Sequence, residues 1–154
     1  MPDLIIDGRP VTVEKGVSVI EAAERAGVMI PRFCWHKALG AAGACRLCAV
    51  MFVEGPVKGL EMSCMTPAAD GMVVETGHPK AVAFRRQIIE LLMANHPHDC
   101  PVCDEGGHCL LQDETISGGH SLRRFPGRKR TYQDQNLGPF IQHEMNRCIH
   151  CYRC

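Results

Sequence analysis

Fourteen residues, His96-Pro97-His98-Asp99-Cys100-Pro101-Val102-Cys103-Asp104-Glu105-Gly106-Gly107-His108-Cys109, bring together three thiols and three imidazoles. Their prolines and glycines disfavour regular structure, so a loop is expected, and a loop of these side chains reads as a metal site. Two residues between Cys100 and Cys103 let both sulfurs of one turn face the same ion. Cys109 returns across the flexible Gly106-Gly107 pair. Spacing leaves the fourth donor open. It permits His96, whereas His98 and His108 stand too close to Cys100 and Cys109 to be comfortable ligands and are expected beside the site or in solvent.

Four more thiols, Cys34, Cys45, Cys48 and Cys64, form a second set. The small residues from Gly40 to Ala44 let backbone N–H groups approach sulfur closely and so stabilise negative charge there. The pattern resembles the plant-type arrangement for a [2Fe-2S] cluster, although that arrangement has four residues between its first two cysteines and this chain has ten. A zinc ion on the same thiolates is the alternative, since ligand type alone does not separate the two. Trp35 and His36 are expected to cover the site. A third set, Cys148, Cys151 and Cys154, has the C-x2-C-x2-C spacing that opens bacterial-type [4Fe-4S] sites. With His96 counted, the three sets hold eleven ligands where three clusters need twelve. The sequence is therefore expected to be a fragment whose missing ligand lies downstream.

Composition narrows the classes. Among 154 residues, ten cysteines at recurring C-x2-C spacing favour metal ligation over disulfides. Seventeen basic against seventeen acidic side chains give no overall attraction to nucleic acid or acidic lipid. The basic run Arg123, Arg124, Arg128, Lys129 and Arg130 reads as a solvated or salt-bridged surface, because aromatic content is only 5% and no nucleic-acid module surrounds it. Neither a membrane span nor a signal peptide is apparent, and a cytosolic or matrix-like compartment is expected.

The elements that must position these residues are α+β. Leu4-Ile5-Ile6 and Val11-Thr12-Val13 flank Asp7-Gly8-Arg9-Pro10 and predict a hairpin. Ser18 with Glu21 forms a capping box for a helix that Gly27 stops. Runs at Leu47 to Val53, Val57 to Met62 and Met72 to Glu75 would complete a small mixed sheet, suggesting a β-grasp. From Pro79, apolar residues Val82, Phe84, Ile88, Ile89, Leu91 and Leu92 predict a helix to about Asn95. Pro97 ends it at His96 and so aims that side chain from a fairly rigid support. Leu110 to Asp113 predict one or two helical turns, ended by Gly118-Gly119. Three domains follow: 1–78, 79–137 and the start of another at 138–154.

With its cysteines in this order, and with the stretches Asn95-His96-Pro97-His98-Asp99-Cys100-Pro101-Val102-Cys103, Gly138-Pro139-Phe140-Ile141 and His143-Glu144-Met145-Asn146-Arg147-Cys148, the chain resembles the family of the large peripheral iron-sulfur subunit, or 75 kDa subunit, of NADH-quinone oxidoreductase (respiratory complex I). The resemblance implies a [2Fe-2S] cluster on Cys34, Cys45, Cys48 and Cys64. It implies a [4Fe-4S] cluster on His96, Cys100, Cys103 and Cys109, so His96 enters as a ligand. A second [4Fe-4S] cluster would take Cys148, Cys151, Cys154 and a distant cysteine. The implied role is conduction of single electrons from NADH and flavin toward quinone, as one subunit of the oxidoreductase with no acid, base or nucleophile of its own. Implied partners are the flavin-bearing NADH-oxidising subunit and other peripheral-arm subunits, with no nucleic acid and no direct membrane insertion. The implied location is the cytoplasmic face of a bacterial inner membrane, or the matrix side in a mitochondrion. A neutral imidazole in place of a thiolate would by itself raise a cluster's potential, although burial could outweigh it. The same cluster-bearing module resembles parts of [FeFe] and NAD-linked hydrogenases and formate dehydrogenases. Continuation past Cys154 into a large domain resembling molybdopterin oxidoreductases, or into further cysteines, would separate those readings. A zinc-stabilised binding module is the alternative outside redox chemistry.

Overall fold

A computed structural model describes residues 1–118 and 124–154. The chain divides into two compact units, one of residues 1–85 with 152–154 and one of residues 86–151.

The first unit begins with β1 (Asp3–Ile6) and β2 (Arg9–Thr12), paired antiparallel with Ile6 opposite Arg9. Asp7 and Gly8 both have positive φ, 47° and 76°, as a two-residue hairpin turn of this hand requires. The non-glycine member is held in place, because its carboxylate accepts hydrogen bonds from the N–H and hydroxyl of Thr76 at 2.7 and 2.6 Å. Helix α1 (Val19–Arg25) starts where the Glu21 carboxylate accepts bonds from the Ser18 N–H (3.0 Å) and hydroxyl (2.7 Å). It stops where Gly27 N–H bonds to Glu24 and Val28 N–H to Ala23, a Schellman closure that needs the left-handed Gly27, φ 70°.

Next come the two-residue strands β3 (Trp35–His36) and β4 (Gly40–Ala41), then β5 (Ala49–Glu54), β6 (Gly59–Met62) and β7 (Val73–Glu75). The main sheet has the order β2-β1-β7-β5-β6, with β1 and β7 parallel and the other neighbours antiparallel. Pro10 therefore lies on an edge strand, where a missing N–H breaks no interior ladder. Leu4 and Ile6 alternate inward and meet Val19, Ile20, Val50, Phe52 and Val74 in one buried cluster. Three expected strands start later than their apolar runs: Leu47 and Cys48 form a turn before β5, following Arg46 at φ 59°, β6 starts at Gly59 rather than Val57, and β7 at Val73 rather than Met72. The β3–β4 pair has no counterpart among the expected strands, since two-residue strands carry no period.

Helix α2 (Pro79–Asn95) has the expected bounds and runs across the boundary between the units in sequence. In the first unit, the Arg85 guanidinium donates to the carbonyls of Ala49 and Thr76, both at 2.8 Å. The second unit continues with a 3-10 turn (Cys100–Val102), α3 (Leu110–Ser117) and a small hairpin of β8 (Gln135–Asn136) and β9 (Gln142–His143). The 3-10 turn corrects the expectation of a wholly irregular loop, because Pro101 sits in its first residues, where a missing N–H costs nothing. Gly118 caps α3 as expected, whereas Gly119 and Arg123 lie outside the described residues. Among the described residues, no helix is long and apolar enough to cross a membrane.

Candidate metal centres

Register positions the first thiol set. Ala49 pairs with Met62 across β5 and β6, so Cys48 and Cys64 emerge at the same end of that hairpin. Ser63, between them and fully buried, donates both its N–H (3.1 Å) and its hydroxyl (2.9 Å) to the Cys48 carbonyl. On the other side, the turn from β3 to β4 returns the chain so that Ala42 N–H bonds to the Cys34 carbonyl and Cys45 N–H reaches the Cys34 sulfur at 3.4 Å. Gly43, at φ 66°, lies so close to Met65 that a Cβ would sit 3.1 Å from its sulfur. The loop is thus shaped for a small residue at Gly43, and the backbone N–H that reaches sulfur is that of Cys45, just past the stretch Gly40 to Ala44.

Cys34, Cys48 and Cys64 are buried and Cys45 is partly covered. Hydrogen bonding from the Cys64 thiol holds Cys48 down to about 6, and the same contact pushes Cys64 up. Cys34 and Cys45 add to the upward push on Cys64, so all four thiols share one electrostatic neighbourhood, and burial raises Cys45 itself. Trp35 belongs to the apolar cluster that includes Cys48 and Cys64, under the Arg32 guanidinium 4.7 Å from its ring centroid. His36 is exposed and accepts the Ala38 N–H at 3.1 Å.

The central set is collected by one cavity of about 250 Å³, whose lining includes His96, Cys100, Cys103 and Cys109. Helix α2 ends at Asn95 and His96 N–H still bonds to the Leu92 carbonyl at 3.2 Å, which fixes the backbone that carries the imidazole. Burial, with help from Lys129, pushes the His96 pKa down and favours the neutral ring, the form that ligates metal. Gly106 N–H bonds to the Cys103 carbonyl at 2.9 Å, and a Cβ at Gly106 would stand 2.2 Å from the Cys100 carbonyl oxygen. No other residue fits that fold of the loop. His98 also lines the cavity but is exposed, and exposed His108 is absent from the lining.

In the third set, Cys148 and Cys151 belong to the second unit and Cys154 is grouped with the first. Cys148 lines a hollow of about 470 Å³ with Asn95, Tyr132 and Asn146, and its sulfur accepts the His150 N–H at 3.4 Å. Three residues that spacing does not single out hold these loops: Ser63, Asp99 and Arg147. The last two each precede the first cysteine of a motif, and that opposite-charge placement is the signal that could have found them.

A family model for a 2Fe-2S iron-sulfur cluster binding domain matches residues 3–79. The NADH-ubiquinone oxidoreductase-G iron-sulfur binding region matches 85–123, and the ferredoxin-like domain of NADH-quinone oxidoreductase subunit 3 matches 138–154. The NADH-quinone oxidoreductase G subunit of Yersinia pestis is 53% identical over 157 residues, and that of Escherichia coli strain K12 is 52% identical, each alignment covering 100% of this chain. The chain belongs to the family of NADH-quinone oxidoreductase G subunits. It spans 17% of the length of those relatives. A crystal structure of an NAD+-reducing [NiFe]-hydrogenase is 32% identical with a TM-score of 0.87, covering 97% of this chain and 62% of the other. The described regions are thus mixed α/β and carry 2Fe-2S and 4Fe-4S binding domains.

The donor chemistry fits such groups. Among the described residues, no three His, Cys, Asp or Glu side chains converge as they would on one mononuclear ion. Iron-sulfur clusters take thiolate and imidazole donors, the donor types present in these sets.

Proposed function

We propose that this chain is an electron relay of an NADH-quinone oxidoreductase, passing single electrons from the flavin-bearing NADH-oxidising subunit toward quinone. In this reading the β-grasp unit holds [2Fe-2S] on Cys34, Cys45, Cys48 and Cys64. The loop after α2 holds [4Fe-4S] on His96, Cys100, Cys103 and Cys109, and Cys148, Cys151 and Cys154 contribute to a second [4Fe-4S]. The peripheral arm of the complex, on the cytoplasmic face of a bacterial inner membrane or the matrix side in a mitochondrion, is its proposed setting. The carrying observation is the common cavity of His96 and the three central cysteines.

When bound, an iron-sulfur cluster supplies one-electron exchange. The chain's own groups set how readily that occurs. Burial of Cys34, Cys48 and Cys64 excludes water and disfavours added negative charge, whereas the N–H on the Cys34 sulfur favours it. At the central site, a neutral imidazole in place of a thiolate removes one negative charge and favours the reduced state. A related reading, the cluster module of an NAD-linked hydrogenase, draws on the likeness to the hydrogenase structure.

Anaerobic purification followed by iron, acid-labile sulfide and zinc analysis tests the proposal. Iron and sulfide in near-equal amounts are expected. Stoichiometric zinc without sulfide would make the chain a structural module and end the electron-relay reading.

A further inference from the structure

Arg147 lies outside every ligand set, yet it connects two of them within the second unit. Its guanidinium pairs with the carboxylate of Asp99, the residue before Cys100, and with Glu144 in its own segment, while its backbone leads directly into Cys148. A forked guanidinium suits such a bridge, because two separate nitrogens serve the two carboxylates and leave Nε for a third acceptor. That Nε is buried and has no hydrogen-bond partner among the described residues. A buried donor without an acceptor is unfavourable, and a sulfur acceptor would relieve it.

Electrostatics point the same way. The Arg147 charge acts on Cys103 and on His96, two of the four donors lining the central cavity, and Asp99 lines that cavity as well. One cation thus compensates two carboxylates beside a site that would gain negative charge on reduction.

We infer that Arg147 is a positioning and potential-setting residue for the group held by His96, Cys100, Cys103 and Cys109, joining that loop to the Cys148 segment and favouring the reduced state. The inference rests on the electron-relay reading. Its physical content is simple: a fixed positive charge beside the site stabilises an added electron, and a fixed negative charge opposes it.

The two partners of the bridge should therefore act with opposite sign, which a purely structural role does not produce. Redox titration of the full chain, assembled with iron and sulfide and followed by EPR, reads the midpoint of the central [4Fe-4S] signal, with the [2Fe-2S] signal as internal reference. Arg147→Gln is expected to move the central midpoint to a more negative potential and Asp99→Asn to a more positive one. Arg147→Lys should restore most of the shift, because it keeps the charge and loses the fork. The [2Fe-2S] midpoint should stay in place in all three. Should Arg147→Gln fail to assemble, the Asp99→Asn and Arg147→Lys midpoints decide. Unchanged midpoints, or shifts of the same sign in Arg147→Gln and Asp99→Asn, would overturn the inference. Absence of any [4Fe-4S] signal in the unsubstituted chain would instead overturn the electron-relay reading beneath it.

Discussion

The two best-defined candidate sites hold similar donors in opposite ways. Around the first, the backbone is fixed by sheet register, and three of four cysteines are buried in or beside a packed apolar core. Around the second, none of the residues from His96 to Cys109 is fully buried, and a 3-10 turn, a glycine contact, the end of a helix and the Asp99–Arg147 ion pair supply its order. One site is thus shaped by the protein's own hydrophobic core, whereas the other lies in a loop outside it. Binding energy that orders a loop also becomes folding energy for that loop.

Metal removal should expose this contrast most strongly. In chelated, anaerobic protein, amide hydrogen exchange is expected to accelerate throughout 96–109 while β1, β5 and β7 stay protected. Equal loss of protection in both regions would break the comparison. A smaller but sizeable effect is expected from Phe52→Ala, which empties a fully buried position and should destabilise the first unit by about 3–5 kcal/mol. The single Trp35, in the same core, reports that unfolding by fluorescence.

Smaller still is Ser63→Ala. It removes the hydroxyl bond to the Cys48 carbonyl but keeps the N–H bond, for a loss of about 1 kcal/mol read from the urea midpoint. The smallest effect concerns pH. Hydrogen bonds from Ser18 hold the Glu21 carboxyl below its ordinary 4.5, so its contribution is present above that value and is lost as pH falls through the folded pKa. Glu21→Gln should lower stability near neutrality by roughly 0.5–1 kcal/mol and remove this part of the acid dependence, as measured by urea unfolding from pH 3 to 7.

Legibility in the sequence follows the same division. Strict local rules are readable: Asp7-Gly8 for the hairpin, Ser18 with Glu21 and Gly27 for α1, and the period and terminal Pro97 for α2. Cysteine spacing marks the three sets, but it cannot choose a fourth central donor, because His96, His98 and His108 are alike by type. In three dimensions His96 and His98 line one cavity and His108 does not, and His96 is the less exposed of the two. Sheet order is not readable either, since parallel pairing of β1 with β7 joins residues nearly seventy positions apart, as in Ile5 with Val73. The pairing of Asp99 with Arg147, 48 residues apart, is hidden for the same reason.

In the proposed electron relay His96, rather than a neighbouring imidazole, completes the site with Cys100, Cys103 and Cys109. EPR of the reduced full chain, compared among His96→Ala, His98→Ala and His108→Ala, tests it most directly. Loss or marked weakening of the central [4Fe-4S] signal in His96→Ala alone is the predicted result. Equal cluster content in all three variants would contradict the claim and remove His96 from the ligand set.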